Sequence, residues 1–308
     1  MAAIPITNVT ELQAIDGYAV DVQYYLANDI DASDTINWNG GLGFKPITPQ
    51  FPFTAVLNFD GREHIIKDLY INRPTEDYVG LFLRCAATAV ITDVFLENVY
   101  VQGKLSVGGL YSIGRGTVAN CGVNSGSIKS YAVSATYGCG GLVGTLIAGS
   151  TITKSYSKAN VESISTFGNG GLVGINNGSI ADCYAMGTLL MTAYVPNSTG
   201  GLVGKNAGVI NRCYSNGAII SVLNLYCNGF VGNNTGAITA SYWDTESSGY
   251  TKGTEPVSDP PTGKTTAQMK QEATFAGWDF SRTWQIIEGV SYPMLRIGKK
   301  KMRARRST

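Results

Sequence analysis

The sequence predicts an all-β protein, a right-handed parallel β-helix of about 30 residues per coil with short capping helices. Three observations predict it. A Gly-Leu-Val-Gly string recurs, its leading glycine steps at a near-constant interval, and the composition is rich in glycine and poor in charge. Gly141-Leu142-Val143-Gly144 returns as Gly171-Leu172-Val173-Gly174 and Gly201-Leu202-Val203-Gly204. Degenerate copies begin at Gly80, Gly109 and Gly229. The steps from Gly80 are 29, 32, 30, 30 and 28 residues. In a turn-rich chain such a period means one solenoid coil per repeat.

Composition agrees with this reading. Charged residues make up 15% of the chain, against about 25% in ordinary globular proteins, and 38 glycines supply turns. Apolar residues at 44% are enough for a continuous interior and exclude disorder. Six of the 23 basic residues lie in the last ten positions, so the rest of the chain is net acidic, and nucleic acid is not an expected partner. That basic run reads first as a solubilising tail and second as a contact for an acidic partner. No stretch is apolar for the 18 or more residues of a membrane helix. One histidine, His64, and no CxxC spacing leave no expected metal site or cofactor.

Within a repeat, Gly178 is followed by Ser179-Ile180-Ala181-Asp182-Cys183-Tyr184, and Gly187 opens Thr188-Leu189-Leu190-Met191. The next repeat offers Val209-Ile210-Asn211-Arg212-Cys213-Tyr214 and then Ala218-Ile219-Ile220-Ser221 after Gly217. Three short β-branched runs separated by Asn/Gly turns predict a three-sided coil. The domain plan that follows is an N-terminal cap with the first coils over 1–79 and solenoid repeats over 80–244. A C-terminal loop, helix and cap span 245–298, and a basic tail spans 299–308.

These motifs resemble the GLUG repeat of bacterial surface adhesins and related phage proteins. The resemblance extends to Tyr25-Leu26-Ala27-Asn28-Asp29-Ile30-Asp31, Phe59-Asp60-Gly61 and His64-Ile65-Ile66 before the repeats. After them it includes Tyr242-Trp243-Asp244-Thr245, Thr265-Thr266-Ala267-Gln268-Met269 and Gly277-Trp278-Asp279-Phe280. It implies the scaffold and says little of the activity.

Aligning the coils turns positions into ladders about 4.8 Å apart. Val118, Ile152, Ile180, Ile210 and Ile238 form one expected core column, and Leu110, Leu142, Leu172, Leu202 and Phe230 a second. Asn176, Asn206 and Asn234 align as an amide ladder, beside glycines expected at positive φ. Asn120, Lys154, Asp182, Arg212 and Ala240 alternate in charge and are expected to face water. The next column, Cys121, Ser155, Cys183, Cys213 and Ser241, then points inward as free thiols and hydroxyls. Tyr156, Tyr184, Tyr214 and Tyr242 follow. Strict alternation turns these tyrosines outward as a sugar-stacking or protein-packing stripe. A bulge between Ile180 and Cys183 would instead reverse the phase and bury them, and the spacing of three residues favours that alternative.

Both ends of a solenoid expose strand edges. Thr10–Ile15 reads as an N-terminal capping helix before the first strand, and 265–275 as a helix with a threonine N-cap, seated by Trp278, Phe280, Trp284, Tyr292 and Leu295. Between them 246–264, with Pro260-Pro261, reads as a mobile loop.

For chemistry, a β-helix glycosidase needs two convergent carboxylates and a lyase a charged face. Acids gather only in the first third, at Asp29, Asp31, Asp34, Asp60, Glu63, Asp68 and Glu97, and no catalytic constellation is expected there. His64 beside the Asp60-Gly61 turn is read as structural. The expectation is therefore a non-catalytic structural or attachment protein, with a tailspike-type polysaccharide hydrolase or lyase as the alternative. Expected partners are other structural proteins of an assembly or a host surface glycan or protein, and a homo-oligomer fits the fold. Met1–Val9 lacks the basic and apolar regions of a secretory leader, which favours a phage tail, fibre or decoration protein of the virion over a cell-surface adhesin.

Overall fold

The computed structural model describes residues 2–15, 22–48, 58–131, 137–164, 168–192, 198–222, 227–256 and 261–297. Within them the chain winds as a parallel β-solenoid whose coils stack in register. The basic tail and Pro260 lie outside the described residues.

Five short ladders make up the wall, where three sides were expected. The three apolar runs are as read, but two of them divide. The run after the asparagine turn splits into an isoleucine sheet of nine strands (from Ala2–Ile6 to Ala237–Thr239) and a tyrosine sheet of nine (from Ile30–Asp31 to Thr262–Lys264). The repeat string splits into a five-stranded glycine sheet (Val107–Gly108 to Cys227–Asn228) and a six-stranded valine sheet (Phe82–Cys85 to Val231–Asn234). The run after Gly187 stays whole in a six-stranded sheet (Tyr70–Asn72 to Ile219–Ser221).

Register matches the aligned columns. Val118 pairs with Ile152, Ile152 with Ile180, Ile180 with Ile210 and Ile210 with Ile238. The leucine column is fully buried, and each leucine bridges coils through its backbone. The Leu172 carbonyl accepts from Leu142 N–H at 2.9 Å and from Val143 N–H at 3.1 Å. Asn176 Nδ2 donates to Asn206 Oδ1 and Asn206 Nδ2 to Asn234 Oδ1, both at 2.7 Å and both buried. The neighbouring glycines serve a purpose other than the expected positive φ. A Cβ on Gly208 would lie 2.0 Å from the Gly178 carbonyl oxygen, so it is the close approach of consecutive turns that requires glycine.

The alternating-charge column is the corner between the isoleucine and tyrosine sheets. Asn120, Lys154, Asp182, Arg212 and Ala240 all have φ between 43° and 55°, in the left-handed region. The corner N–H of Asn120, Lys154, Asp182 and Arg212 donates forward to the next coil, in the last case to the Thr239 carbonyl. Two residues on, where regular alternation would again donate forward, the N–H donates backward, as Tyr214 N–H does to the Cys183 carbonyl. Where the direction reverses, one amide per coil has no ladder partner, and the Cys/Ser column meets that need. Cys121 N–H donates to Ser155 Oγ, Ser155 N–H to Cys183 Sγ, and Cys213 N–H to Ser241 Oγ. Each Oγ or Sγ in turn donates to the carbonyl two residues earlier, at 2.8 Å from Ser155 and 3.1 Å from Cys183. All six cysteines are free and buried. Asp182 and Arg212 form a bidentate pair at 2.7 and 2.8 Å, while Lys154 forms no ion pair among the described residues.

The ends differ from expectation in three places. Strand Ala2–Ile6 precedes the N-terminal helix, which runs Val9–Gln13 with Asn8 Oδ1 capping Glu11 N–H. The helix Thr245–Ser248 runs into the 246–264 segment, whose strand Thr262–Lys264 pairs beyond Tyr242–Asp244 as the last rung of the tyrosine sheet. Lys252, Gly253 and Glu255 offer carbonyls to Gly229, Phe230, Val231 and Asn234, which closes the last edge of the repeat string. The helix expected over 265–275 is replaced by two 3-10 turns, Gln268–Lys270 and Glu272–Thr274, separated by an extended Gln271. Met269 and Phe275 are both buried against the tyrosines, and six helical steps would have turned them away from each other. Trp243 plugs the last coil, with Gly229, Gly253 and Gly263 against its ring.

Two outcomes test this account. Ser155→Ala should lower the unfolding free energy by about 1–3 kcal/mol in urea titration by stranding the Cys121 amide, with Ser155→Cys recovering most of it. Burial pushes the Cys85 and Cys121 thiols up to about 12. Folded values above the unfolded ones mean that the buried thiols support the fold fully below about pH 8.5 and that this support is lost as pH rises toward 12. Ellman titration at pH 8 should count no reactive thiol in the native protein and six after denaturation.

Candidate functional site

The four tyrosines point out of the coil, as alternation requires. Cys183 and Ala185 belong to the interior cluster, and Tyr184 between them belongs to a second cluster outside it. The spacing of three that suggested a phase-reversing bulge is absorbed by the left-handed corner at Asp182. Outward does not mean exposed: Tyr156, Tyr184, Tyr214 and Tyr242 are 8, 2, 0 and 8% accessible. The chain's own C-terminal segment covers Tyr184, Tyr214 and Tyr242, and Tyr156 lies against Phe95 and Tyr184.

Tyr156 and Tyr184 stack at 4.9 Å with planes 4° apart, and Tyr184 and Tyr214 at 5.1 Å and 10°. Over them lie Trp284, 6.2 Å from Tyr184 and 6.1 Å from Tyr214, and Tyr292, parallel to Tyr214 at 6.2 Å. Phe275 meets Tyr242 edge-on at 5.2 Å. Upstream the column holds Gly122, where a Cβ would collide with the Tyr156 ring at 2.4 Å; the glycine lets that ring lean across the preceding coil. Tyr214 Oη donates to the Pro293 carbonyl at 2.6 Å, and burial pushes its ionisation well above the usual phenol range.

Asp244 fixes the cover to the coil. It is fully buried, and Oδ1 accepts from Glu246 and Ser247 N–H while Oδ2 accepts from Thr266 Oγ1 at 2.7 Å and Tyr292 Oη at 2.6 Å. Trp278 Nε1 donates to the Ala240 carbonyl and Trp284 Nε1 to Asp182, so the charged corner is partly roofed rather than open to water.

The acids of the first third are engaged locally. Asp29 Oδ1 lies 2.9 Å from His64 Nδ1 and accepts from Ile65 N–H. Asp31 accepts from Ser33 N–H, which holds its carboxyl below the usual range, and Asp60 accepts from Arg62 N–H. Asp93 is different: burial, then nearby Asp60 and Glu63, raise its carboxyl. No group of three or more metal-ligating side chains occurs among the described residues.

One open groove was missed from sequence. It measures about 710 Å³ and lies where the turns of Ser33–Gly41 rise over the sheet of Tyr70–Asn72 and Val99–Gly103. Tyr70 and Tyr100 stack there at 4.9 Å. Aligning Tyr70-Ile71-Asn72 with Tyr100-Val101-Gln102 would have revealed it, but those coils carry at most the degenerate Gly80 copy of the repeat string that guided the alignment.

No family model matches the chain. It is 35% identical over 307 residues to part of Halomucin from Haloquadratum walsbyi, covering 95% of this chain and 3% of that protein. The chain thus spans a small fraction of the curated relative it matches. A crystal structure from Bacteroides ovatus, provisionally assigned as an immunoglobulin A1 protease, superposes with a TM-score of 0.69 at 20% identity, covering 95% of this chain and 91% of that one. That similarity carries the fold alone.

Removing the central roof residue should free the cover. Trp284→Ala should cost about 3–5 kcal/mol at the C-terminal segment. Limited proteolysis should then cut between 265 and 297 well before the coils, whereas Tyr214→Phe should leave the segment protected.

Proposed function

We propose that this chain is a non-catalytic display and attachment module, a β-solenoid carried on a surface. The observation that carries this reading is where its chemistry is spent. The most aromatic column on the coil surface seats the chain's own C-terminal segment, and most of the first-third acids hold turns or ion pairs. The similarity to a stretch of Halomucin supports a cell surface as the location. The GLUG-like motifs fit an adhesin there and equally a phage tail, fibre or decoration protein, so the virion stays as the second location. Partners of either would be neighbouring structural proteins or a surface glycan.

The tailspike-type alternative has one specific foothold, Asp93 with its raised carboxyl beside Asp60 and Glu63. Incubation with neutral and uronate polysaccharides should release no new reducing ends or unsaturated sugars, and Asp93→Asn should change nothing in that assay. Release that disappears in Asp93→Asn would establish the enzyme instead. For location, antibody should label intact producing cells or purified virions, and labelling only after lysis with none on virions would overturn the surface reading.

A further inference from the structure

Another cavity, of about 450 Å³, lies on the outer face of the valine sheet, where its first strands run into the turn toward the isoleucine sheet. Its walls come from three successive coils. Arg84 is paired in register with Ile113, and Ile113 with Thr145. Arg115 N–H donates to the Cys85 carbonyl and Ile147 N–H to the Gly114 carbonyl, both at 3.0 Å, so the register continues past the strand ends. Cys85 and Leu146 belong to the interior cluster. Alternation therefore turns Arg84, Ile113, Arg115 and Ile147 outward, with the two arginines as diagonal neighbours on adjacent coils.

This corner is both open and positively charged. The register sets Ala86 beside Arg115, and so short a side chain leaves the cavity unfilled. Gly114 lets the coils close up beneath it, since a Cβ there would lie 2.7 Å from the Cys85 nitrogen. Ile113 and Ile147 supply apolar surface, and Thr88 an exposed hydroxyl at the rim. Arg84 Cζ lies 5.2 Å from the Tyr78 ring centroid, a contact that takes a face of the guanidinium, whose N–H donors lie in its plane. Arg115 is exposed and forms no ion pair among the described residues, whereas Arg62, Arg73 and Arg212 each pair with an acid. No acid is among the described residues that line the cavity.

Two guanidinium groups beside an apolar floor select an anion with an apolar body. A planar carboxylate matches them, because it takes two parallel N–H bonds from one guanidinium. The strand Tyr111–Gly114 is paired on both sides, so an extended acidic peptide finds no edge to join. A uronate ring needs no edge. It would set its carboxylate toward the arginines, its C–H face on the isoleucines and its hydroxyls at the rim beside Thr88.

We propose that Arg84 and Arg115 form a binding site for the carboxylate of a uronate sugar in an acidic polysaccharide. This rests on the attachment reading and deepens it by naming the surface that would attach and the chemistry it would take.

The test is affinity electrophoresis of the purified full chain in gels containing alginate, polygalacturonate or hyaluronate. Dextran serves as the neutral comparison and dextran sulfate as the comparison for charge alone. At least one uronate gel should retard the protein, and dextran should not. Arg115→Ala should weaken that retardation about tenfold, equivalent to about 1.4 kcal/mol. Arg282→Ala, which removes the same charge from an exposed position elsewhere, should leave it unchanged. Circular dichroism checks each fold. If Arg115→Ala loses the fold, Thr88→Glu, which sets a negative charge at the rim, decides the result by the same loss. No retardation in any uronate gel, retardation in dextran sulfate alone, retardation that survives Arg115→Ala or Thr88→Glu in a folded protein, or an equal loss in Arg282→Ala would each overturn the site. Location is read separately on cells and virions, so the sugar site and the surface reading fail independently.

Discussion

Every coil must turn the same corner, and the geometry of that corner governs the rest of the molecule. Between the isoleucine and tyrosine sheets the backbone takes one residue through the left-handed region, at about 1–2 kcal/mol each for a residue with a side chain. Six successive coils do so, at Asp93, Asn120, Lys154, Asp182, Arg212 and Ala240. The turn reverses the direction of the hydrogen-bond ladder and leaves an amide that parallel pairing cannot serve. A thiol or hydroxyl from the next coil serves it at Cys121, Ser155 and Cys213. Small size and inward direction alone would allow alanine in that column. The hydrogen bonds explain why it holds cysteine and serine, and why the cysteines stay unpaired with one another.

The corner also sets the phase of all that follows it. With one residue consumed in the turn, Cys183 points in, Tyr184 out and Ala185 in. A column of large rings thus comes to stand on the outside of a solenoid whose interior has no room for it. Stacked rings left in water would make a long apolar stripe, a ready site for aggregation. The C-terminal segment resolves this by covering the rings, and its two 3-10 turns are shaped by the need to present both Met269 and Phe275 to them. One corner therefore accounts for both the dry thiol column and the aromatic seat.

Much of this was legible in the sequence, and the limits have physical causes. Periodicity gave the register, because identical residues such as Ile152, Ile180 and Ile210 pair one to one. It gave the Asn176–Asn206–Asn234 ladder for the same reason. It could not give the fate of the tyrosines, since their burial depends on residues up to about a hundred positions away, as with Asp182 and Trp284. Nor could it give the role of Asp244, whose partners Thr266 and Tyr292 lie in a segment without the repeat. The glycines beside the asparagines were misread because one sequence shows that a side chain is missing without saying whether φ or a neighbouring backbone forbids it.

The two aromatic columns show how one scaffold ends an aromatic ladder in two ways. On the tyrosine sheet the rings at Tyr156, Tyr184, Tyr214 and Tyr242 occupy four consecutive coils, so each inner ring has neighbours on both faces or a roof above. At Tyr70 and Tyr100 the run is two rings long and stops over Ser127. A stacked column is satisfied along its length and must find another contact at its end: a roof on the tyrosine sheet, and at the shorter ladder Lys129 Nζ, 5.8 Å from the Tyr100 centroid. The repeat makes such ladders easily, and the departures from the repeat decide how each one ends.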